Sequence, residues 1–193
     1  VLEVGLGGRF DATNVVEPIA CAITTIALEH QEYLGRTETA IAFEKAGIIK
    51  PAVPVVIGRM GPEAGTVMRH IAAERAAPLW GLGEEFTVEG DEPACFTYRG
   101  RIRVFERLRC ALSGRHQLDN AACALALLEA SGEVGARVDE SAVRTGLQTV
   151  TWEGRLELID EAPSVLLDGA HNPAAAVVLG RYLEGFLLRH PEA

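Results

Sequence analysis

The sequence describes a globular protein of moderate size. Its 193 residues are 48 % hydrophobic and 23 % charged, which is the balance of a chain that folds and not of one that stays disordered. Basic side chains number 18 against 27 acidic ones, for a formal net charge of −9. Because binding along a nucleic-acid backbone needs a basic surface, we expect no nucleic-acid partner.

The cysteines and the apolar stretches bear on the compartment. Cys21, Cys95, Cys110 and Cys123 lack the spacing of a zinc site or a redox pair, so we expect reduced, mostly buried thiols. No stretch is long and apolar enough for a membrane span, so we expect no membrane partner. No signal peptide is visible, and the expected location is the cytoplasm.

The first part of the chain alternates predicted strands and helices. Strands are predicted at 1–4, 19–28 and 53–57, the second of them apolar and rich in β-branched residues. Thr37 is expected to cap a helix that ends near Gly47, with Lys45 in its last turn, and a second helix is predicted at 65–76. This alternation predicts right-handed crossover units and a mostly parallel sheet flanked by helices.

The pattern changes beyond residue 79. Short segments of alternating polarity at 86–88, 96–98 and 102–105 predict antiparallel strands on the edge of the main sheet. Helices are predicted at 117–130 and at 140–147, the latter capped by Asp139. A joint near residue 150 precedes strands at 156–159 and 165–167 and a helix at 174–188. The predicted class is α/β, with one domain at 1–150 and the start of a second α/β domain at 151–193.

Two polar residues follow predicted strands. Glu3 precedes the glycine-rich turn 5–8, and His30 follows the apolar run that ends at Leu28. Ligands of open α/β sheets bind at the carboxyl ends of strands, so this carboxylate and this imidazole could share a divalent ion. The glycine turn is not a dinucleotide fingerprint, because its sixth position is Phe10. A tight turn and a close approach of backbone to phosphate or metal both remain open.

Later polar residues have two interpretations each. His116, Gln117 and Asn120 lie at the start of a predicted helix, where free N–H groups favour an anionic ligand, although ordinary capping is the alternative. Asp168 and His171 lie in a turn between a strand and a helix, which is typical of a ligand-facing junction. Capping of that turn is equally consistent with their positions.

Five strings of residues carry a family resemblance. They are EVGLGGRFDATN at 3–14, ALEHQ at 27–31, EKAGIIK at 44–50, SGRHQLDNAA at 113–122 and LDGAHNP at 167–173. In this order they resemble the folylpolyglutamate synthase and dihydrofolate synthase branch of the Mur ligase superfamily. The resemblance spans nearly the whole chain. It implies an enzyme that uses ATP to phosphorylate a carboxylate of folate or dihydropteroate and then joins that carboxylate to L-glutamate.

The resemblance also implies roles for single residues. Glu3 and His30 match residues that hold Mg²⁺, and Lys45 matches a lysine that the family carbamylates and that helps to bind a second metal ion. Lys45 and His30 are therefore the expected catalytic residues. The positions expected to contact ATP are Asn120, Arg155, Asp168 and His171. The expected partners are these small molecules, and the full-length protein is expected to be a monomer.

Two departures from the family pattern stand out. Glu29 occupies the position before His30 where the family usually has aspartate, and the family's phosphate-binding loop GxxGKGS is absent. We therefore expect a fragment, inactive alone, that holds the second part of the ATP-binding central domain and the opening of the C-terminal glutamate ligase domain. Dihydrofolate synthesis and polyglutamate extension are not separated by these residues.

Two alternative functions remain. A Mur-type amino-acid ligase acting on cell-wall precursors shares the superfamily, but the GGRxDATN string argues against it. A noncatalytic nucleotide-binding protein could share the fold, but the combination of Glu3, His30 and Lys45 disfavours it.

Overall fold

The structure is a computed structural model that describes residues 1–132, 137–161 and 163–189. Its α-helices are α1 (Gln31–Leu34), α2 (Glu38–Lys45), α3 (Pro62–Glu74), α4 (His116–Gly132), α5 (Glu140–Thr149) and α6 (Pro173–Arg189). Its strands are β1 (Cys21–Ile23), β2 (Val55–Ile57), β3 (Leu79–Gly81), β4 (Thr87–Glu92), β5 (Cys95–Arg99), β6 (Val104–Leu108), β7 (Glu157–Glu161) and β8 (Ser164–Leu167). The predicted mixture of a parallel sheet, antiparallel strands and helices is confirmed.

The parallel sheet has the order β1-β2-β3. Cys21 pairs with Val55 and Val55 pairs with Leu79, so the three strands are in register over three residues each. Helices α2 and α3 pack together beside it, and this part of the core is fully buried at Ile41, Ile49, Val55, Ala64 and Met68. Burying a valine, isoleucine or methionine side chain stabilises the fold by about 1.5–3 kcal/mol.

The antiparallel strands form a sheet of their own with the order β4-β5-β6. A second core cluster lies between this sheet and α4 and is fully buried at Trp80, Tyr98, Leu108 and Leu118. The rings of Phe86 and Tyr98 lie 6.2 Å apart within it. Helix α4 also contacts β1 and β2, so it joins the two sheets and holds its N-terminal turn at the carboxyl end of the parallel strands.

The strand predictions near the N-terminus differ from the structure. Residues 1–4 form no strand within the described chain, and the run predicted at 19–28 is a strand only from Cys21 to Ile23. Gly58 lies directly on the backbone of Thr24, and its N–H donates to the Ile23 carbonyl oxygen at 3.0 Å. The chain leaves the sheet at Thr24, and His30 lies in the following loop and not at the end of a strand.

The helix predictions are closer. Thr37 caps α2 by accepting a hydrogen bond from the Ala40 N–H, and Asp139 caps α5 in the same way through the Ala142 N–H. Helix α3 begins at Pro62, three residues earlier than predicted, because proline suits the first helical position, where no N–H donor is needed. Lys45 lies in the last turn of α2, as expected.

The C-terminal part of the chain is a β-hairpin followed by a helix. Strands β7 and β8 pair antiparallel, and α6 follows with Pro173 at its start. The domain division at 150/151 stays a prediction, and residues 190–193 of the second predicted domain lie outside the described residues. Among the helices described, none is both long and apolar enough to cross a bilayer.

The cysteines follow the expectation in part. All four are free thiols. Cys21 and Cys123 are buried, and burial raises the pKa of these thiols to about 11 and about 12 respectively. Cys110 is half-buried and Cys95, in the central strand β5, is exposed, so the prediction of mostly buried thiols holds for Cys21 and Cys123 and not for Cys95.

Candidate functional site

One cavity of about 1030 Å³ brings together distant parts of the chain. Its walls come from the loop after β1, the first turn of α4, the turn between β8 and α6, and one face of α6. The four residues that the resemblance assigned to ATP all line it: Asn120, Arg155, Asp168 and His171. These residues span more than 50 positions of sequence, so their convergence is a product of the fold.

The turn between β8 and α6 is built around Asp168. One carboxylate oxygen accepts from the Leu156 N–H at 3.0 Å and the other from the Ala170 N–H at 2.9 Å. Asp168 thus caps the turn, as one of its two interpretations required, and it also lines the cavity. The guanidinium of Arg155 lies against the Cα of Gly169, a contact that leaves no room for a β-carbon.

The positively charged side chains that line the cavity are mainly arginines. The lining arginines are Arg59, Arg115, Arg155, Arg181 and Arg189. Arg59 and Arg115 both bind the Asp119 carboxylate, and Arg189 pairs with Glu92. Arg155 and Arg181 have no ion-pair partner among the described residues, so their guanidinium groups remain available to an anionic ligand.

The first turn of α4 supplies polar groups to the same wall. Asn120 donates from Nδ2 to the Gln117 Oε1 at 2.9 Å, and the buried Gln117 holds it in place. Burial lowers the pKa of His116, although the nearby Asp168 carboxylate opposes that shift. A neutral His116 therefore lines the cavity at pH 7 and can serve as a hydrogen-bond donor or acceptor.

A group of side chains that could hold a metal ion lies at the cavity's edge. The candidate ligand atoms of Glu29, His30 and His171 all lie within 4.8 Å of one another. The Glu29 carboxylate also pairs with the Lys45 ammonium, at 3.0 Å from Nζ to Oε1, and accepts a hydrogen bond from Asn172 Nδ2 at 3.2 Å. Glu29 therefore connects His30, Lys45 and the β8–α6 turn.

The predicted metal residues are thus only partly brought together. His30 and Lys45 both lie close to the Glu29 carboxylate. Glu3 is exposed and is not a member of that group among the described residues. The carboxylate beside His30 comes instead from Glu29, which the sequence analysis noted only as a departure from the family pattern.

The glycine-rich turn approaches protein backbone closely. A β-carbon on Gly8 would lie 2.9 Å from the Lys45 carbonyl oxygen and 3.0 Å from that of Glu44, closer than real β-carbons come. The Arg9 N–H donates to the same Glu44 oxygen at 2.9 Å, and the Arg9 guanidinium binds the Glu44 carboxylate. Of the two interpretations of this turn, the structure therefore supports the tight turn. The turn packs against the end of α2, where Lys45 lies.

The DATN part of the first string closes a local loop. The Asp11 carboxylate accepts hydrogen bonds from Thr13 through both its hydroxyl and its N–H, and from the N–H groups of Gly5 and Leu6. These bonds, the Thr13 hydroxyl first, lower the pKa of Asp11 to about 2. Asn14 then bridges the carbonyl oxygens of Arg9 and Gly47, which ties this loop to the residues after Lys45.

Sequence reasoning missed Glu29 and Asn172 as members of the site. Both lie inside strings that carried the resemblance, next to His30 and His171 respectively. Their contact joins residues 143 positions apart. The available signal was a polar residue next to each expected ligand, Glu29 before His30 and Asn172 after His171. No local sequence pattern indicates that these two residues contact each other.

The chain is similar to known proteins over nearly its whole length. No family model matches the sequence. The chain is 44 % identical over 177 residues to a dihydrofolate synthase/folylpolyglutamate synthase of Bacillus subtilis, covering 89 % of this chain and 41 % of that protein. A solved folylpolyglutamate synthase (FPGS) of Mycobacterium tuberculosis, complexed with ADP and AMPPCP, matches with 40 % identity and a TM-score of 0.86 over 94 % of this chain and 42 % of that one.

A further solved structure extends the comparison. An FPGS complex with AMPPCP and folate has a TM-score of 0.90 at 34 % identity, over 96 % of this chain and 46 % of that one. The chain thus spans less than half the length of the proteins it matches, and it matches them over almost all of its own. Sequence and fold together show that the chain is homologous, over almost all of its length, to part of the dihydrofolate synthase/folylpolyglutamate synthases.

Proposed function

We propose that this chain forms part of an ATP-dependent ligase that joins L-glutamate to a carboxylate of folate or dihydropteroate. The observation that carries the proposal is the convergence of Asn120, Arg155, Asp168 and His171 on one cavity of about 1030 Å³. That volume accommodates a nucleotide, since ligand pockets commonly measure about 300–1,000 Å³. The complexes of homologous structures with ADP, AMPPCP and folate support the same substrates here.

In this proposal the cavity holds the nucleotide. Arg155, held against Gly169 and without an acidic partner among the described residues, binds phosphate oxygens. Asn120 and the neutral His116 line the cavity at the start of α4 and supply hydrogen bonds. Asp168 keeps the β8–α6 turn closed through its two backbone bonds, and it thereby positions His171 and Arg155 for the ligand.

Mg²⁺ accompanies the nucleotide in this proposal. Mg²⁺ is commonly bound by one or two protein carboxylates together with substrate phosphates and water, and the Glu29 carboxylate beside His30 at the edge of the cavity fits that requirement. Glu3 and His30 remain the ligands proposed from the resemblance, with a carbamylated Lys45 for a second ion. When bound, the ion supplies positive charge against the phosphates.

The chemistry explains why ATP is needed. A carboxylate is a poor acyl donor because its leaving group would be oxide, and conversion to an acyl phosphate supplies a better one. The amine of L-glutamate then attacks the acyl carbon, the C–O bond to phosphate breaks, and inorganic phosphate leaves as the amide forms. The residues of this chain bind the nucleotide and hold the transferring phosphoryl group in place.

Calorimetric titration of the chain with AMPPCP tests this proposal. Arg155→Ala should weaken binding roughly ten- to hundredfold, because a charge-assisted hydrogen bond contributes about 1.5–3 kcal/mol. Arg99→Ala is the matched control, since Arg99 is an exposed arginine paired with Glu89 and does not line the cavity. Equal affinities of the two variants would contradict the assignment. Glutamate ligation is then measured in the protein that carries the family's GxxGKGS loop.

A further inference from the structure

We propose that a cleft lined by Arg107, Arg109 and Arg144 binds a doubly charged oxyanion of the phosphate class. This arginine cleft has a volume of about 460 Å³, and the rest of its lining is Ala94, Cys95 and Glu106. Of these six residues, only Ala94 also lines the cavity proposed for the nucleotide. The arginine cleft is therefore a second site, and it does not depend on the proposed ligase activity.

The arginine cleft lies in a strongly basic stretch of an acidic chain. Residues 99–109 contain five arginines and one acidic residue, whereas the whole chain has 18 basic and 27 acidic side chains. A local excess of positive charge attracts anions that the rest of the surface repels. None of these five arginines lines the cavity proposed for the nucleotide, so the proposed ligase function leaves this charge unexplained.

A β-bulge places Arg107 on the outer face of β6. Phe96 pairs with Leu108, and Tyr98 pairs with Phe105. Strand β6 therefore has one residue more than β5 over this interval. In a regular strand Arg107 would lie on the same face as the buried Phe105, but here Arg107 is exposed and Leu108 is buried. The Arg107 φ of 50° is left-handed, a conformation that is rare outside glycine and concentrates at functional sites.

Arg144 holds this bulge from helix α5. Its Nη2 donates to the Glu106 carbonyl oxygen at 3.1 Å, and its Nη1 donates to the Arg107 carbonyl oxygen at 3.4 Å. Its Nε donates to the Glu140 carboxylate at 2.8 Å, so Glu140 balances the charge of Arg144. Arg144 is therefore a positioning residue, which fixes the backbone from which the Arg107 side chain extends.

Two guanidinium groups are left for the ligand. Across the described residues, the Arg107 side chain makes no hydrogen bond or ion pair, and Arg109 donates only from Nε, to the Ala94 carbonyl oxygen at 3.1 Å. The remaining N–H groups of an arginine form a planar fork that matches two oxygens of a phosphate. Two unpaired cations also match the charge of a phosphate dianion. Glu106 is the acidic residue of the lining, and its charge opposes the ligand.

Titration calorimetry with inorganic phosphate tests this site at about pH 8 and at low ionic strength, where exposed charges are screened least. We expect Arg107→Gln and Arg109→Gln each to weaken binding about tenfold, because each loses charge-assisted hydrogen bonds to the ion. Arg36→Gln is the matched control, since Arg36 is also exposed, has no ion-pair partner in the described part of the chain and lies outside both cavities.

Glycerol 2-phosphate, titrated in parallel, distinguishes the sources of the phosphate group. If the ester binds as tightly as inorganic phosphate, the arginine cleft takes the phosphate group of a small molecule. If inorganic phosphate alone binds, the ligand is the free ion. Cys95 provides a local readout, because it is the exposed thiol among the four cysteines and lines the arginine cleft. Phosphate should slow its alkylation by uncharged iodoacetamide in a saturable manner.

Glu106 provides a measurement with the opposite sign. Glu106→Gln removes the negative charge from the lining, so this variant should bind phosphate more tightly than the wild type, and weaker binding would contradict the site. The proposal is also overturned if the wild type binds no phosphate or if Arg107→Gln and Arg109→Gln bind it as the wild type does. It fails as well if Arg155→Ala lowers the affinity in their place, because the ion would then lie in the cavity proposed for the nucleotide.

Discussion

The ion pair between Glu29 and Lys45 is open to a quantitative test. Its charged atoms are 3.0 Å apart, and each side chain is 22 % exposed. Two unit charges at that distance attract by about 1.4 kcal/mol in water and about 5.5 kcal/mol at an effective dielectric constant of about 20. Desolvation and lost side-chain freedom reduce this to about 0.2–1 kcal/mol for fully exposed pairs. With only a fifth of each side chain exposed, we expect a coupling of about 1–2 kcal/mol.

A double-mutant cycle measures this coupling. Urea unfolding of the wild type, Lys45→Met, Glu29→Gln and the double variant gives four free energies of unfolding, whose combination isolates the interaction. The thermal midpoint of Lys45→Met should fall by about 2–8 °C, given about 2–4 °C per kcal/mol for a chain of this size. The cycle for Arg99 and Glu89, both about half exposed, should give less than half the coupling. A coupling below about 0.3 kcal/mol for the Glu29 pair would refute the argument.

Three further outcomes follow from single contacts. Thr37→Ala should lower the free energy of unfolding by about 1 kcal/mol because the Ala40 N–H loses its cap at 3.1 Å, whereas Thr37→Ser should change it little; urea unfolding decides. Gly169→Ala should displace the Arg155 guanidinium from its contact, and titration with AMPPCP should show weaker binding at an unchanged thermal midpoint. Since the folded-state pKa of Asp11 is about 2 against an ordinary value of 3.8, its stabilising effect is present above about pH 4 and is lost as the pH falls toward 2. The stability difference between wild type and Asp11→Asn should therefore shrink over that window in pH-dependent melts, and a constant difference would count against the assignment.

The elements that sequence predicted well are those whose cause is local. Thr37 and Asp139 cap α2 and α5 through N–H groups three residues ahead, a relation that is visible in the sequence itself. The strand predicted at 19–28 failed because strand length depends on the partner. Strand β2 offers only three residues to β1, and Gly58 packs against the backbone of Thr24. An apolar run alone contains none of that information.

The same distinction between local causes and contacts of distant segments applies to the candidate site. Asn120, Arg155, Asp168 and His171 could be chosen from the sequence because each lies in a string typical of the family, and the fold places all four on one cavity. The neighbours of these residues could not be chosen in that way. Glu29 lies close to Lys45, Asn172 and both histidines because of how α2, the loop after β1 and the β8–α6 turn pack together. These segments are far apart in sequence.

Glu29 shows why a substitution that conserves charge still changes a site. A glutamate carries its carboxylate one methylene farther from the backbone than an aspartate does, which extends its reach by about 1.5 Å. With that reach, the two carboxylate oxygens lie 3.0 Å from Lys45 and 3.2 Å from Asn172 at the same time. The first contact comes from the end of α2 and the second from the turn before α6, so one side chain connects α2 to the β8–α6 turn. The position of that carboxylate therefore couples the charge on Lys45 to the geometry of the turn that holds His171.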